Sequence, residues 1–217
     1  MRDADGSQVA AGSGQFIALG DQIYVHEDAT GGHVSVEGFT QLSLSLRHED
    51  SLTNDMLFGA HAIFRLMPQQ MYTMAKQLRS FDAHPPVNVP PEELTIRREQ
   101  MVKEAQRERA LNESEVQNTS GREIRYGKVL QLQHVVSGKL VAVSHLASAH
   151  NRDARRVLVT DTNVGEAAWF RIVPKLRMHA EGEKVGAGEP ILLENVMSGL
   201  RLHVSDAQAE INASGDR

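Results

Sequence analysis

Tyr126-Gly127-Lys128-Val129-Leu130-Gln131-Leu132-Gln133-His134-Val135-Val136-Ser137-Gly138-Lys139-Leu140-Val141-Ala142-Val143-Ser144 reads as a β-hairpin. Leu130, Leu132 and His134 alternate with Val129, Gln131 and Gln133, and Leu140 and Ala142 alternate with Val141 and Val143. This is the period of two expected of paired strands, and Ser137-Gly138 supplies the turn. The chain then writes the hairpin again. Between Gly127–Ser144 and Gly188–Ser205, seven of eighteen positions are identical, namely the pairs Gly127/Gly188, Leu132/Leu193, Val135/Val196, Ser137/Ser198, Gly138/Gly199, Val143/Val204 and Ser144/Ser205. A fainter copy runs from Gly20 to Val36. Self-similarity of this kind marks structural units built alike.

The spacings set the architecture. Gly20 and Gly127 lie 107 positions apart and the closing residues Phe64 and Phe170 lie 106 apart, so the first two units match end to end. Gly127 and Gly188 are separated by only 61 positions, and the excess of 46 is about the length of a segment with a different period. There, Met71, Met74, Ala75 and Leu78 fall on one face of a helix over 69–81. A proline-rich break from His84 to Pro91 follows, and Pro91 with Glu92 and Glu93 makes a favourable helix start. Leu94, Met101, Val102 and Ala105 form a thin apolar face, with Glu93/Arg97 and Glu99/Lys103 spaced for support along the helix. A helix-turn-helix arm over about 69–113, standing out from the domain, is therefore expected between the first and second units.

Strands are also expected around Ile23 and Val25, Val34–Val36, Leu42 to Leu46, Ile63–Pro68, Val157–Val159 and Trp169–Pro174, with 47–62 as a polar link. Three all-β units of about four strands each predict a β-trefoil. Phe170 follows Gly127 by 43 positions, and the same count from Gly188 reaches 231, past Arg217. The last strand or strands of the third unit are thus expected beyond residue 217 or from elsewhere. Residues 1–15, small and polar, read as a disordered leader, and 16–217 as the trefoil domain.

With 41% hydrophobic and 24% charged residues, 217 residues are enough for one globular core. The net charge of −5 and the lack of a basic cluster argue against nucleic acid. No cysteine is present, which excludes disulfides and thiolate metal sites. No secretory signal or spanning apolar run is visible. The ten histidines show no zinc spacing, so no metal or other cofactor is expected. Gly121 to Gly127-Lys128 fails as a phosphate loop, because five residues separate the glycines and Val129 stands where Ser or Thr must bind magnesium. Gly182, Gly186 and Gly188 read as a turn, since no helix follows to present its amides to a phosphate. Arg152, Arg155 and Arg156 read first as a solvated loop, then as a contact for an acidic partner domain, and last as a contact for an inositol phosphate. His134 and His203 read as satisfying hairpin hydrogen bonds, and Trp169 as core. No nucleophile and base are placed by a motif, so an enzyme is not expected.

Tyr126–His134, the closing Gly165-Glu166-Ala167-Ala168-Trp169-Phe170, the turn Glu181-Gly182-Glu183-Lys184-Val185 and Leu202-His203-Val204-Ser205 together resemble the N-terminal domain shared by inositol 1,4,5-trisphosphate receptors and ryanodine receptors. The resemblance covers about Phe16 to Ser205 and includes the inserted arm, whose polar end Ala110–Glu115 is similar to that of the inositol trisphosphate receptors. Glu37-Gly38-Phe39 and the Glu181–Val185 turn are closer to the ryanodine side. The resemblance implies a suppressor or coupling domain with no ligand pocket of its own. Such a domain lowers ligand affinity and passes ligand-induced movement to a calcium channel. It implies as partners the adjacent inositol trisphosphate-binding domains of the same chain and of a neighbouring subunit. It also implies a homotetrameric whole and a place on the cytosolic face of the endoplasmic reticulum or another calcium store. Contact residues carried over by the resemblance are Gly38, Phe39, Lys175, Leu176, Arg177, Met178 and Lys184. The receptors' Pro-Phe-Tyr-Lys-Leu is shortened here to Pro174-Lys175-Leu176, which leaves Leu176 or Met178 as the apolar contact. A ryanodine-receptor-like domain and a free-standing glycan-binding trefoil are the alternatives. The second is disfavoured because the units repeat core and turn positions and no polar, aromatic pocket.

Overall fold

The computed structural model describes residues 16–38, 42–48, 56–148, 152–161 and 164–204. The leader 1–15 and Phe39 lie outside the described residues. Ten strands are present among them: β1 (Gln22–Tyr24), β2 (His26–Glu27), β3 (Gly32–Glu37), β4 (Ser43–His48), β5 (Ile63–Pro68), β6 (Val129–His134), β7 (Leu140–Ala147), β8 (Arg155–Thr160), β9 (Phe170–Pro174) and β10 (Ile191–Asn195). All pair antiparallel in one sheet of neighbours β1-β5-β6-β7-β8-β4-β3-β2, with β9 bonded to both β6 and β10. The all-β class read from the hairpins holds.

The pairings repeat with the sequence units. The first strand of a unit pairs with the last strand of the same unit, as in Ile23 opposite Phe64 and Leu130 opposite Phe170. The last strand of a unit also pairs with the first strand of the next, as in Pro68 opposite Leu130 and Pro174 opposite Ile191. Where the three units meet, their backbones close a ring. Ile17 N–H donates to Val185 O at 3.0 Å, Val185 N–H to Ile124 O at 3.0 Å, and Ile124 N–H to Ile17 O at 2.9 Å. Each of these residues stands three positions before its unit's first glycine, Gly20, Gly127 or Gly188.

The hairpin turns repeat as well. Gly31, Gly138 and Gly199 sit at φ of 67°, 68° and 67°, the left-handed region that a side chain strains. Their amides donate to the carbonyls of Glu27, His134 and Asn195. In each turn the side chain of that same residue accepts a backbone N–H three residues on, from Thr30, Ser137 and Ser198 respectively. Three different side chains therefore do one job, which is why identity in the first copy is faint while its geometry is preserved.

The core gathers Phe64, Leu66, Tyr126, Leu130, Leu132, Val141, Phe170 and Ile172, all buried. The founding hairpin is covered on both faces, so Gln131 is buried along with Leu130 and Leu132. Its second face lies under Tyr72 and Ala168, which pack on Leu140 and Ala142. Tyr72 donates its hydroxyl to Gln70 Oε1 at 2.6 Å, and Trp169 Nε1 donates to Gln70 O at 3.0 Å. Trp169 is thus core and also the tie between the sheet and the base of the arm. His134 Nδ1 meets Ser137 Oγ at 2.8 Å, whereas His203 is exposed and makes no hydrogen bond among the described residues.

Three α-helices lie among the described residues, besides a single 3-10 turn at Gly165–Ala168. The short α1 (Met56–His61) falls in the segment read as a polar link, where six residues are too few to show a period. The arm consists of α2 (Thr73–Ala83) and α3 (Pro91–Thr119). The arm therefore starts and ends later than the 69–113 expected. Met71 precedes the first helix, held by Asn112, which accepts its N–H and donates to its carbonyl. At the other end, α3 continues through polar residues that carry no period and stops only before Gly121, at φ 75°. No residue of α2 and only Thr119 of α3 is buried, so the arm stands largely in solvent. Its two helices are joined by Arg98 gripping Asp82 through two hydrogen bonds, 2.8 and 3.2 Å. No helix of the described residues is long and apolar enough to cross a membrane.

Candidate interaction surface

After β9, Pro174 ends the strand and the chain turns through Lys175–Ala180 before re-entering the core at Val185. The base of this loop is clamped. His179 Nδ1 lies 3.2 Å from Glu183 Oε2, and its ring sits 5.4 Å from that of the buried Tyr126. Tyr126 donates its hydroxyl to Glu189 Oε2 at 3.0 Å, and Gly186 N–H donates to the same oxygen at 2.9 Å. Gly182 N–H donates to Tyr126 O, and Arg125 Nη1 to Gly182 O at 2.7 Å. Burial pushes the Tyr126 phenol up to about 12, an effect to which the Glu189 carboxylate adds. Glu189 itself is held below the usual carboxylate range, first by the Gly186 amide, with desolvation opposing and with the Tyr126 hydroxyl and His179 contributing.

On this base the loop holds its apolar side chains outward. Leu176 is 43% and Met178 77% exposed, with Lys175 and Arg177 also in solvent. Large apolar side chains left in water on a braced backbone lose little further entropy when a partner covers them. Lys175 Nζ lies 3.8 Å from Asp28 Oδ2, which sets the loop beside the turn of the first hairpin.

The other residues carried over by resemblance divide. Gly38 is exposed at the end of β3 with φ 106°. Lys184 is engaged within the chain. Its Nζ lies 2.8 Å from Glu123 Oε2 and 4.9 Å from the centre of the Phe16 ring, so it ties the three units together where their backbone ring closes. In the arginine cluster, Arg155 Nη1 is spent on His145 O at 2.6 Å. The clamp residues Tyr126, His179, Glu183 and Glu189 were not singled out from sequence. The signal was available in part, because Glu189 occupies the place of Asp21, whose carboxylate accepts Ala18 N–H just as Glu189 accepts Gly186 N–H.

A family model described as "Inositol 1,4,5-trisphosphate/ryanodine receptor" matches residues 12–216. The inositol 1,4,5-trisphosphate receptor itr-1 of Caenorhabditis elegans is 41% identical over 90 residues, which cover 41% of this chain and 3% of that relative.

Proposed function

Because the chain belongs to the inositol 1,4,5-trisphosphate/ryanodine receptor family, we propose that it is the N-terminal regulatory domain of an inositol trisphosphate-gated calcium-release channel. In this reading it is a non-enzymatic β-trefoil that lowers ligand affinity and couples ligand binding to gating. It acts by touching the ligand-binding domains of its own and a neighbouring subunit in a homotetramer at the cytosolic face of a calcium store. The observation that carries the proposal is the clamped loop that keeps Leu176 and Met178 in solvent. A coupling element must transmit displacement. A loop braced by Tyr126, His179 and Glu189 moves with the core, where a free loop would absorb the motion. The kinship with an inositol trisphosphate receptor favours that ligand over a ryanodine-receptor-like role.

Isothermal titration of the chain with inositol 1,4,5-trisphosphate tests the assignment. No saturable heat is expected, nor with a glycan panel. Micromolar or tighter inositol trisphosphate binding by these residues alone would place a pocket here and overturn the regulatory reading, and glycan binding would favour the lectin-like alternative.

A further inference from the structure

The loop after β9 is held by one histidine set between two carboxylates. His179, its side chain 23% exposed, turns Nδ1 to Glu183 Oε2 at 3.2 Å and Nε2 to Glu189 Oε1 at 3.9 Å. Its ring also packs on that of Tyr126, with centres 5.4 Å apart and planes inclined by 31°. A neutral imidazole carries one N–H and one lone pair, so it donates to one of two carboxylates and turns its lone pair toward the other. An imidazolium donates on both sides and is also attracted to a neighbouring aromatic ring. Carboxylate oxygens facing both nitrogens are therefore the surroundings of a charged ring.

The groups around it favour the same state. Against the ring stand Glu183 from its own turn, Glu189 from the turn before β10 and Tyr126 from the segment before β6. Burial pushes the Tyr126 phenol up to about 12, so it stays neutral. Glu189 stays ionised, held below the usual carboxylate range first by the Gly186 amide. Glu181 lies over Gly127. Of the nearby cations, Arg125 is spent on Gly182 O, Lys184 on Glu123, and Arg177 is exposed. The turn itself does not need the histidine. In the first unit Asp21 accepts Ala18 N–H as Glu189 accepts Gly186 N–H, and no histidine faces Asp21 among the described residues.

We propose that His179 is a proton-operated latch on the loop Lys175–Ala180, closed when its imidazole is charged and slack when it is neutral. The latch deepens the regulatory reading and rests on it for its purpose, since the latched segment carries Leu176 and Met178. Imidazoles take up their proton between about pH 5 and 8. Proton uptake adds the second carboxylate contact, so the brace is complete at the acid end of that window and weakens as pH rises through it. Acidification stiffens the loop, and alkalinisation frees it.

The test uses the chain by itself and reads single-amide exchange by NMR at pH 6 and pH 8, each rate divided by the intrinsic rate at that pH. The reporters are Gly182 N–H, which donates to Tyr126 O, and Glu183 N–H, which donates to Ala180 O. Their protection is expected to be about three- to tenfold greater at pH 6 than at pH 8. His179→Gln should bring protection at pH 6 down to the pH 8 level, and His179→Arg, which keeps a fixed cation, should hold it high at both. Leu66 N–H, which donates to Asp21 O, should not differ between the three chains and so reports that the variants are folded. Wild-type protection that is flat with pH would overturn the latch, as would a pH dependence that survives intact in His179→Gln. Neither result bears on whether the domain lowers ligand affinity, which is read in a receptor, and failure of that reading would leave the pH dependence of the loop in place.

Discussion

The first turn of α2 is capped from another helix. Its N-cap residue, Tyr72, makes no side-chain capping bond. The Glu108 carboxylate of α3 takes that role, accepting Met74 N–H at 3.1 and 3.0 Å and Ala75 N–H at 3.4 Å. Removing a cap costs about 1–2 kcal/mol, of which the attraction of the negative charge for the helix N-terminus accounts for about 0.3–1 kcal/mol. No residue of α2 is fully buried, and only Met74, Ala75, Leu78 and Phe81 are partly so, which leaves little burial to offset the loss. Glu108→Ala is therefore expected to reduce hydrogen-exchange protection over Lys76–Ser80 about tenfold, and Glu108→Gln, which keeps a neutral acceptor, by about two- to fivefold. Exchange measured by mass spectrometry on peptides spanning 73–84 and 129–134 reads the effect, with the second peptide as internal control. Unchanged protection of α2 in Glu108→Ala would refute the capping argument. An equal loss in β6 would show that the arm is not a separable unit.

Further predictions concern the repeated positions. Burial holds the His134 imidazole below its ordinary value, with the neighbouring His61 adding to the effect. The unfolded chain therefore takes up the proton first, and stability should fall as pH drops below about 6.5. His134→Asn, which installs the residue used at the matching Asn195, should flatten urea midpoints between pH 7 and 5 if this histidine carries the effect. Leu130→Ala should cost about 3–4 kcal/mol in urea unfolding, and Ile191→Ala clearly less, about 1–2 kcal/mol. Equal costs would mean that the two positions are equally buried. At Gly138 an added Cβ meets nothing within 4 Å, so Gly138→Ala should cost only the left-handed backbone strain, about 1–2 kcal/mol. A loss well above that would reveal a hidden clash in the turn.

Much of the fold was legible because repetition makes one hairpin a ruler for the next. Leu132/Leu193 and Gly138/Gly199 placed the units, and the glycine offsets located the arm. The first unit was harder to see because Glu27 and Thr30 perform the turn chemistry that His134 and Ser137 perform later, and identity is blind to that equivalence. The end of α3 was missed for a related reason: a solvated helix has no apolar stripe, and its stop lies in the backbone at Gly121. For the candidate surface, the exposed Leu176 and Met178 were readable by resemblance. The clamp beneath them was not, since Tyr126, His179 and Glu189 are brought together only when the second and third units close on each other. Lys184 shows the converse, because a charge carried over by resemblance as a contact is spent on Glu123 inside the domain.

The regulatory reading stands or falls on ligand affinity in a receptor that carries this domain. In the Caenorhabditis elegans receptor, the domain that contains the 90-residue segment similar to this chain can be deleted or replaced by residues 1–217, and inositol 1,4,5-trisphosphate binding compared at equilibrium. Deletion is expected to tighten binding, replacement to restore the weaker affinity, and replacement carrying Leu176→Asp with Met178→Asp to lose that restoration while the domain remains folded. Identical affinities for the deleted and replaced receptors would contradict the proposal.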